Sequence, residues 1–579
     1  MFYRGISHHE ANAEWIWSAP DGTKIYASRF AVYARYNWYY QVHRPVTTGR
    51  TFEKNFKWGE FDDVPFRFAD GLAGEDLAYN LLNPVILYDR KKLKEAIEKM
   101  IEREGTHFTT PVFLAMHGHD ISVAHPLEAQ IINDAKKIFA GKYDIKHGSL
   151  EDFWNEALKY IDEKKLPALT GERRSYLKQG MWTFLFPGTI SARTYLKQKD
   201  FGATNKLVRY AEPLANLAKT LGAEYPAKYI ERAWSYLLSN HTHDANGGCA
   251  PDIVCQDMEY RYRKTSDIAD IVTEDSMAHI IKNLSPEKCE TGAVLLTVFN
   301  PLPFERTEVA LVDIEVPREL MAKSVALEAD SDKNIQIQPV SSEKSSSFVD
   351  SIWDVPTILE SNRLKFYAKF ANLPALGYRV YKIVPFGEER RIQASESIVK
   401  NHNTLVNKYI EAKVNTDSTV DIKCLKTGKV FNNLNYLVDQ GECGNAWKHV
   451  APQFDRIYSS MGCPTKICIR ENGALVGSLI AEYDFMVPED YGNGTCRSDK
   501  LVSLSVKIEY RLERESRFLQ VKIEINNRAS DHWLRVAFPS GINTDKSFAD
   551  SHFDVVEREI KVPDSTGWME QAFGTHPLQ

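Results

Sequence analysis

The chain has 579 residues, too many for one hydrophobic core, and carries 72 Lys plus Arg against 78 Asp plus Glu for a net charge of -6. A multidomain globular protein is the expectation, and the missing basic block excludes the electrostatic footprint of a nucleic-acid binder. No apolar run is long enough to span a bilayer, and the start "MFYRGISHHEANAEW" lacks the charged and apolar segments of a signal peptide; no membrane partner is expected, and the chain reads as cytoplasmic. The eight cysteines form no CxxC pair and read as free or buried thiols.

The first elements alternate in the α/β manner over residues 1–145. The stretch "FAVYARYNWYYQVHRP" concentrates aromatic residues. It reads either as a core strand pair, which aromatics favour, or as the lining of a sugar cleft, where an aromatic face covers the apolar face of a pyranose. "NPVILYDRKKLKEAIEKMIEREG" predicts a short strand and then a charged helix, and "TTPVFLAMHGHD" predicts a buried strand with polar residues at its end. Active sites collect at strand ends in α/β sheets and barrels, which singles out Asp120.

Over residues 146–285 the pattern becomes helical. Ser149 is placed to cap a helix, with Asp152 in the capping-box position. "TISARTYLKQKDFGATNKLVRYAEPLANLAKTLG", "AEYPAKYIERAWSYLLSN" and "PDIVCQDMEYRYRKTSDIADIVTEDSMAHIIKNL" follow, and three helices with short connections make a bundle. From 286 to 579 the helical period gives way to β-branched and polar alternation between turn signals, as in β-sandwich domains. Within it, "DSDKNIQIQPVSSEKSSSFVDS" reads as a flexible polar loop between strands. The fold class is therefore multidomain α/β, then α, then β.

The helix "AKYIERAWSYLLSN" stops on "HTHDANGG". A helix end needs only a Gly or Asn to satisfy its last carbonyls, so His241, His243 and Asp244 exceed what stopping requires. The glycines let the backbone turn away from the helix axis. Asn240-His-Thr is also a glycosylation triplet, and a glycan there would obstruct any site, which favours a compartment without glycosylation.

Together these motifs, with "RGIS", "EWIWSAPDG", "ARYN", "GHD", "LTGERRS", "AEPLA", "VFNPLPFERTE", "VDQGECGNAWKHVAP" and "INNRASDHWLRVAFPSGINTDKSFADSHFDVVERE", resemble the family 38 glycoside hydrolases, the retaining α-mannosidases. The resemblance runs over essentially the whole chain in family order. It implies a partial α/β barrel, a three-helix bundle and C-terminal β-sandwich domains, with one zinc ion, or another divalent metal, in the site. It makes His243 a metal ligand, Asp244 a holder of substrate hydroxyls, Asp120 the general acid and then general base, and Arg4 and Tyr36 substrate-site residues. His241 reads as a neighbour that packs or hydrogen-bonds.

The implied substrate is a mannose-containing oligosaccharide or glycoside, with linkage left open, and homo-oligomers are common in similar proteins. The family's His-x-Asp metal pair and its aspartate nucleophile precede the counterpart of "RGIS", so this chain is expected to begin after them. His8 and His9 fall on the wrong side of Arg4 to replace the pair. On this reading the isolated chain is inactive and binds zinc poorly, the alternative being a non-catalytic carbohydrate-binding or scaffold remnant. Tight zinc binding by the chain alone would direct attention to His117, His119 and His125.

Overall fold

The computed structural model describes residues 6, 10–29, 36–47, 88–118, 124–172, 187–284, 292–329, 335–349, 353–389, 396–447, 449–492, 495–551 and 554–561. The chain divides into two compact units, residues 1–187 with 543–577 and residues 188–542.

In the first unit β1 (Glu14–Ser18) pairs antiparallel with β2 (Lys24–Ser28) and parallel with β3 (Ala168–Thr170), Ile16 lying opposite Ala168. A parallel pair requires a crossover. The intervening chain supplies helices α1 (Arg44–Thr47), α2 (Arg90–Glu104), α3 (Glu128–Ile138) and α4 (Leu150–Ala157). Asp89 caps α2 by accepting from the Lys91 amide at 3.0 Å. At α4 the Ser149 hydroxyl accepts from the Asp152 amide while the Asp152 carboxylate accepts from the Ser149 amide, the reciprocal box the sequence predicts. Trp38, Val42, Leu93, Ile97, Ile131 and Phe139 form the apolar centre beneath α2 and α3.

The described part of the aromatic stretch, residues 36–45, is not a strand pair, and residues 30–35 lie outside the described residues. Residues 37–47 are helical, and a widened turn at Tyr39–His43 has the Arg44 N–H reaching the Tyr39 carbonyl before α1 begins. Burial of Trp38 and Val42 against α2 and α3 decides the conformation over the β preference of the aromatics. Val112–Met116 also departs from expectation, running with no β ladder among the described residues. Its backbone is held instead by Asn37, as detailed below. A hairpin of Lys546–Ser551 and Asp554–Glu559 belongs to the same unit, where Arg558 grips Glu172 through two bonds of 2.8 and 2.9 Å.

In the second unit α5 (Thr194–Asn205) continues through a widened turn at Lys206–Ala211 into α6 (Glu212–Thr220). Helix α7 (Ala227–Ser239), the short α8 (His243–Gly247) and the 31-residue α9 (Asp252–Lys282) follow. Leu207, Ala233, Leu237, Met258, Tyr262 and Ala269 bury a common core among these helices.

The β region then begins with β4 (Val294–Asn300), β5 (Arg306–Pro317), β6 (Ser324–Glu328), β7 (Ile337–Val349), β8 (Thr357–Leu373) and β9 (Gly377–Phe386). Sheets β4-β9-β6 and β5-β8-β7 share one core through Val316, Leu327, Phe366 and Ile383. A five-stranded sheet over residues 399–434 and a four-stranded sheet over residues 466–526 share a second, through Leu405, Val414, Leu479, Phe485 and Tyr510. Inward-facing apolar residues alternating with polar ones account for both.

The polar segment expected as a loop is strand β7, paired with β8 from Ile337 to Val349. Its serines face outward, and Ser345 and Ser347 donate to the Glu315 carboxylate at 2.8 and 2.7 Å. Gln338, 1% exposed, accepts from the Leu475 and Val476 amides at 2.9 and 2.8 Å and donates to the Val476 carbonyl at 2.9 Å. An available ladder partner and this buried amide outweigh the loop-like composition.

Candidate functional site

Two histidine-bearing regions stand out, one in each unit. The first is organised by Asn37 of the "ARYN" stretch, which is fully buried. Its Nδ2 donates to the Leu114 carbonyl at 2.9 Å, and its Oδ1 accepts from the Met116 amide at 2.6 Å and from the Trp38 amide at 2.9 Å. The Trp38 amide also reaches the Met116 carbonyl at 3.0 Å. One side chain thus docks the start of the aromatic helix on the extended segment and brings His117 to His43.

The His43 and His117 rings lie 5.0 Å apart, centroid to centroid. Glu128, first residue of α3, meets both: its Oε2 is 2.7 Å from His43 Nδ1 and 3.6 Å from His117 Nε2. Its other oxygen accepts from Trp38 Nε1 at 2.7 Å. Tyr39 stacks on His43 at 5.4 Å, and His125 packs edge-on against His43 at 4.9 Å. Burial holds the His117 imidazole below its ordinary value against the opposing pull of Glu128, and burial likewise lowers His125. Burial acts to raise Glu128, but the His43 hydrogen bond, the neighbouring imidazoles and the Trp38 hydrogen bond outweigh it, leaving the carboxyl below the usual range.

The second region is the turn after α7. Asn240 takes the cap of α7 and is fully buried, its Nδ2 donating to the Met258 carbonyl at 3.0 Å. A buried, engaged amide is no glycan acceptor in the folded chain, so the triplet says nothing about compartment. His241 hydrogen-bonds Asp200 Oδ1 through Nε2 at 2.8 Å, the neighbourly role expected of it. His243 and Asp244 open α8, their side chains 87% and 64% exposed and 3.2 Å apart. The Cys249 thiol lies 3.3 Å from the same Asp244 oxygen, and burial pushes that thiol upward in pKa, keeping it protonated. Gly248 has φ +78, and a Cβ there would stand 2.7 Å from the Ala192 carbonyl oxygen, so this position needs glycine. Nearby the Gly188 amide donates to the Trp447 carbonyl at 3.0 Å.

Of the residues singled out from sequence, His243 and Asp244 are adjacent and open to solvent. Tyr36 is half-buried in the first unit, its ring 6.5 Å from Tyr40. Arg4, Asp120 and His119 lie outside the described residues. His43, Asn37 and Glu128 were not among the sequence candidates. A lone His and a lone Glu 85 positions apart carry no spacing signal.

The family model for the α-mannosidase middle domain matches residues 185–280, and that for the glycosyl hydrolases family 38 C-terminal domain matches 405–577. A relative from Halalkalibacterium halodurans, named "Putative mannosylglycerate hydrolase", is 25% identical over 99% of this chain and 62% of its own length. An α-mannosidase structure from Enterococcus faecalis V583 superposes with a TM-score of 0.75 at 20% identity, over 98% of this chain and 62% of the other. A family 38 structure from Enterococcus faecalis gives 0.71 at 20% identity, over 94% and 60%. These two establish a shared fold, and the chain spans about three fifths of the relatives it matches. Residues 185–280 and 405–577 are thus similar to the middle and C-terminal domains of glycosyl hydrolase family 38.

Proposed function

We propose that the chain contributes to a retaining α-mannosidase acting on a mannose-containing oligosaccharide or glycoside, mannosylglycerate included. The observation that supports this most is the His243–Asp244 turn, where an imidazole and a carboxylate stand open to solvent on a backbone that only Gly248 can follow. The matched family domains and the relative's name point the same way. The finer plan is a partial α/β barrel over 1–145, a three-helix bundle over 146–285 and β-sandwich domains over 286–579, in a cytoplasmic protein that assembles as a homo-oligomer.

Asp120 donates a proton to the departing glycosidic oxygen and then takes one from the attacking water, opposite a carboxylate about 5 Å away that attacks the anomeric carbon. Asp244 accepts hydrogen bonds from sugar hydroxyls; one of its oxygens already faces His243 and Cys249, leaving the other for substrate. Arg4 and Tyr36 contact the substrate. His243 is the residue that would hold a zinc ion, whose Lewis acidity would be supplied to the sugar's hydroxyls. His243 and Asp244 are two donors, fewer than the three protein ligands of a zinc site, and among the described residues no third donor groups with them. No step is therefore routed through the metal.

The test is hydrolysis of an α-mannosidic disaccharide and an aryl α-mannoside by the chain completed to the length of its relatives. Asp120→Asn should lose about 10²–10⁴-fold on the disaccharide and less on the aryl substrate, whose leaving group hardly needs a proton. Unchanged disaccharide turnover would sink the assignment, and sugar binding without any turnover in the unsubstituted protein would make it a carbohydrate-binding remnant.

A further inference from the structure

We propose that His43, His117 and Glu128 form a divalent transition-metal site, zinc by preference, within residues 1–187 and independent of His243. Two imidazoles and a carboxylate are the donor set of many three-ligand zinc sites, which keep a fourth position for water. The donor atoms all lie within 4.8 Å of one another. Metal–ligand bonds of about 2.0–2.1 Å place tetrahedral donors roughly 3.3 Å apart, and the observed separations from Glu128 Oε2, 2.7 Å to His43 and 3.6 Å to His117, fall on either side of that.

The surroundings suit a metal better than a simple ion pair. Pairing Glu128 with His43 would need one histidine, yet His117 approaches the same oxygen, and His125 stands against His43. A metal ion in place of the shared proton uses both imidazoles at once. Trp38 Nε1 holds the other carboxylate oxygen and fixes its orientation, the kind of outer partner that metal-ligating carboxylates have. His125 accepts the Leu127 amide on Nδ1 at 3.2 Å, so its hydrogen sits on Nε2, a buried atom with no partner among the described residues. A water on the metal's open position is an acceptor such a donor can use. The three ligands come from segments far apart in sequence, so the ion would clamp the aromatic helix, the 112–118 segment and α3 together.

The experiment strips the 579-residue chain of metal with a chelator and titrates it with zinc against a chromogenic competitor. It is repeated with cobalt(II), whose visible absorption reports four-coordination, on the wild type and on His117→Ala, Glu128→Gln and His243→Ala. The expected result is one zinc per chain and an intense cobalt spectrum, both unchanged in His243→Ala, with affinity falling at least about a hundredfold in His117→Ala and in Glu128→Gln. Zinc should also raise the melting temperature of the wild type and of His243→Ala but not of the other two. Glu128→Gln preserves shape and the Trp38 bond, so a loss there is not a folding defect. The proposal is overturned if the wild type holds no stoichiometric zinc, or if its zinc leaves with His243→Ala and stays in the other two. Because His243→Ala probes the family assignment separately, the two readings fail independently.

Discussion

The two histidine regions solve opposite problems. Around His43 the polar groups answer one another, with Asn37 and His43 buried, Glu128 half-buried and His117 more open: Asn37, Trp38 and Glu128 each have their partners, and two imidazoles converge on a single carboxylate oxygen. Around His243 the scaffolding is buried, in Asn240 and the Gly248 approach, while the chemistry-bearing side chains are left in water. Stability and recognition are thus joined in the first region and separated in the second. Side chains whose partners are internal cannot change without cost, whereas those of the turn are free to serve a ligand.

Asn37→Ala should give the largest loss, about 2–4 kcal/mol, because the Leu114 carbonyl and the Met116 amide lose their partner in a fully buried position. Urea unfolding reads it directly, and a loss no larger than that of a surface substitution would erase the contrast. Gly248→Ala should follow at about 1–3 kcal/mol, from left-handed backbone and the approach to Ala192. A wild-type midpoint would mean that the turn is not backbone-limited.

Asp244→Asn sharpens the comparison from the other side. It should leave the unfolding midpoint in place and weaken binding of methyl α-mannoside about tenfold or more, since one charged acceptor is lost; calorimetric titration of the completed protein checks it. Smaller than the Asn37 and Gly248 losses is that of His241→Asn, expected to cost about 0.5 kcal/mol through the pairing with the partly exposed Asp200. His243→Ala beside it should not move the midpoint at all. A destabilised His243→Ala would assign that side chain to the scaffold.

The helices were legible because burial imprints a period on sequence: Leu207, Leu237 and Met258 recur on inward faces, and Ser149 with Asp152 announces a helix start. What failed was every case decided by a distant partner. Residues 37–45 of the aromatic stretch are helical because Trp38 and Val42 pack on α2 and α3, and β7 is a strand because β8 and Gln338 accept it. The turn bearing His243 could be found because its signal is local, six residues from His241 to Asn246 followed by two glycines. The His43 cluster could not, since His43, His117 and Glu128 acquire meaning only when Asn37 has docked two segments on each other.

Gln338 has a consequence for how the second unit comes apart. Its side chain belongs to a strand of one β core, yet it satisfies backbone groups at the edge of the other, at Leu475 and Val476, and Gly473 is there because a Cβ would meet that amide at 2.0 Å. Opening either core alone strands buried donors in its neighbour. The two should therefore melt as one cooperative block, with the Leu475 and Val476 amides among the slowest to exchange with solvent deuterium and governed by the same opening event.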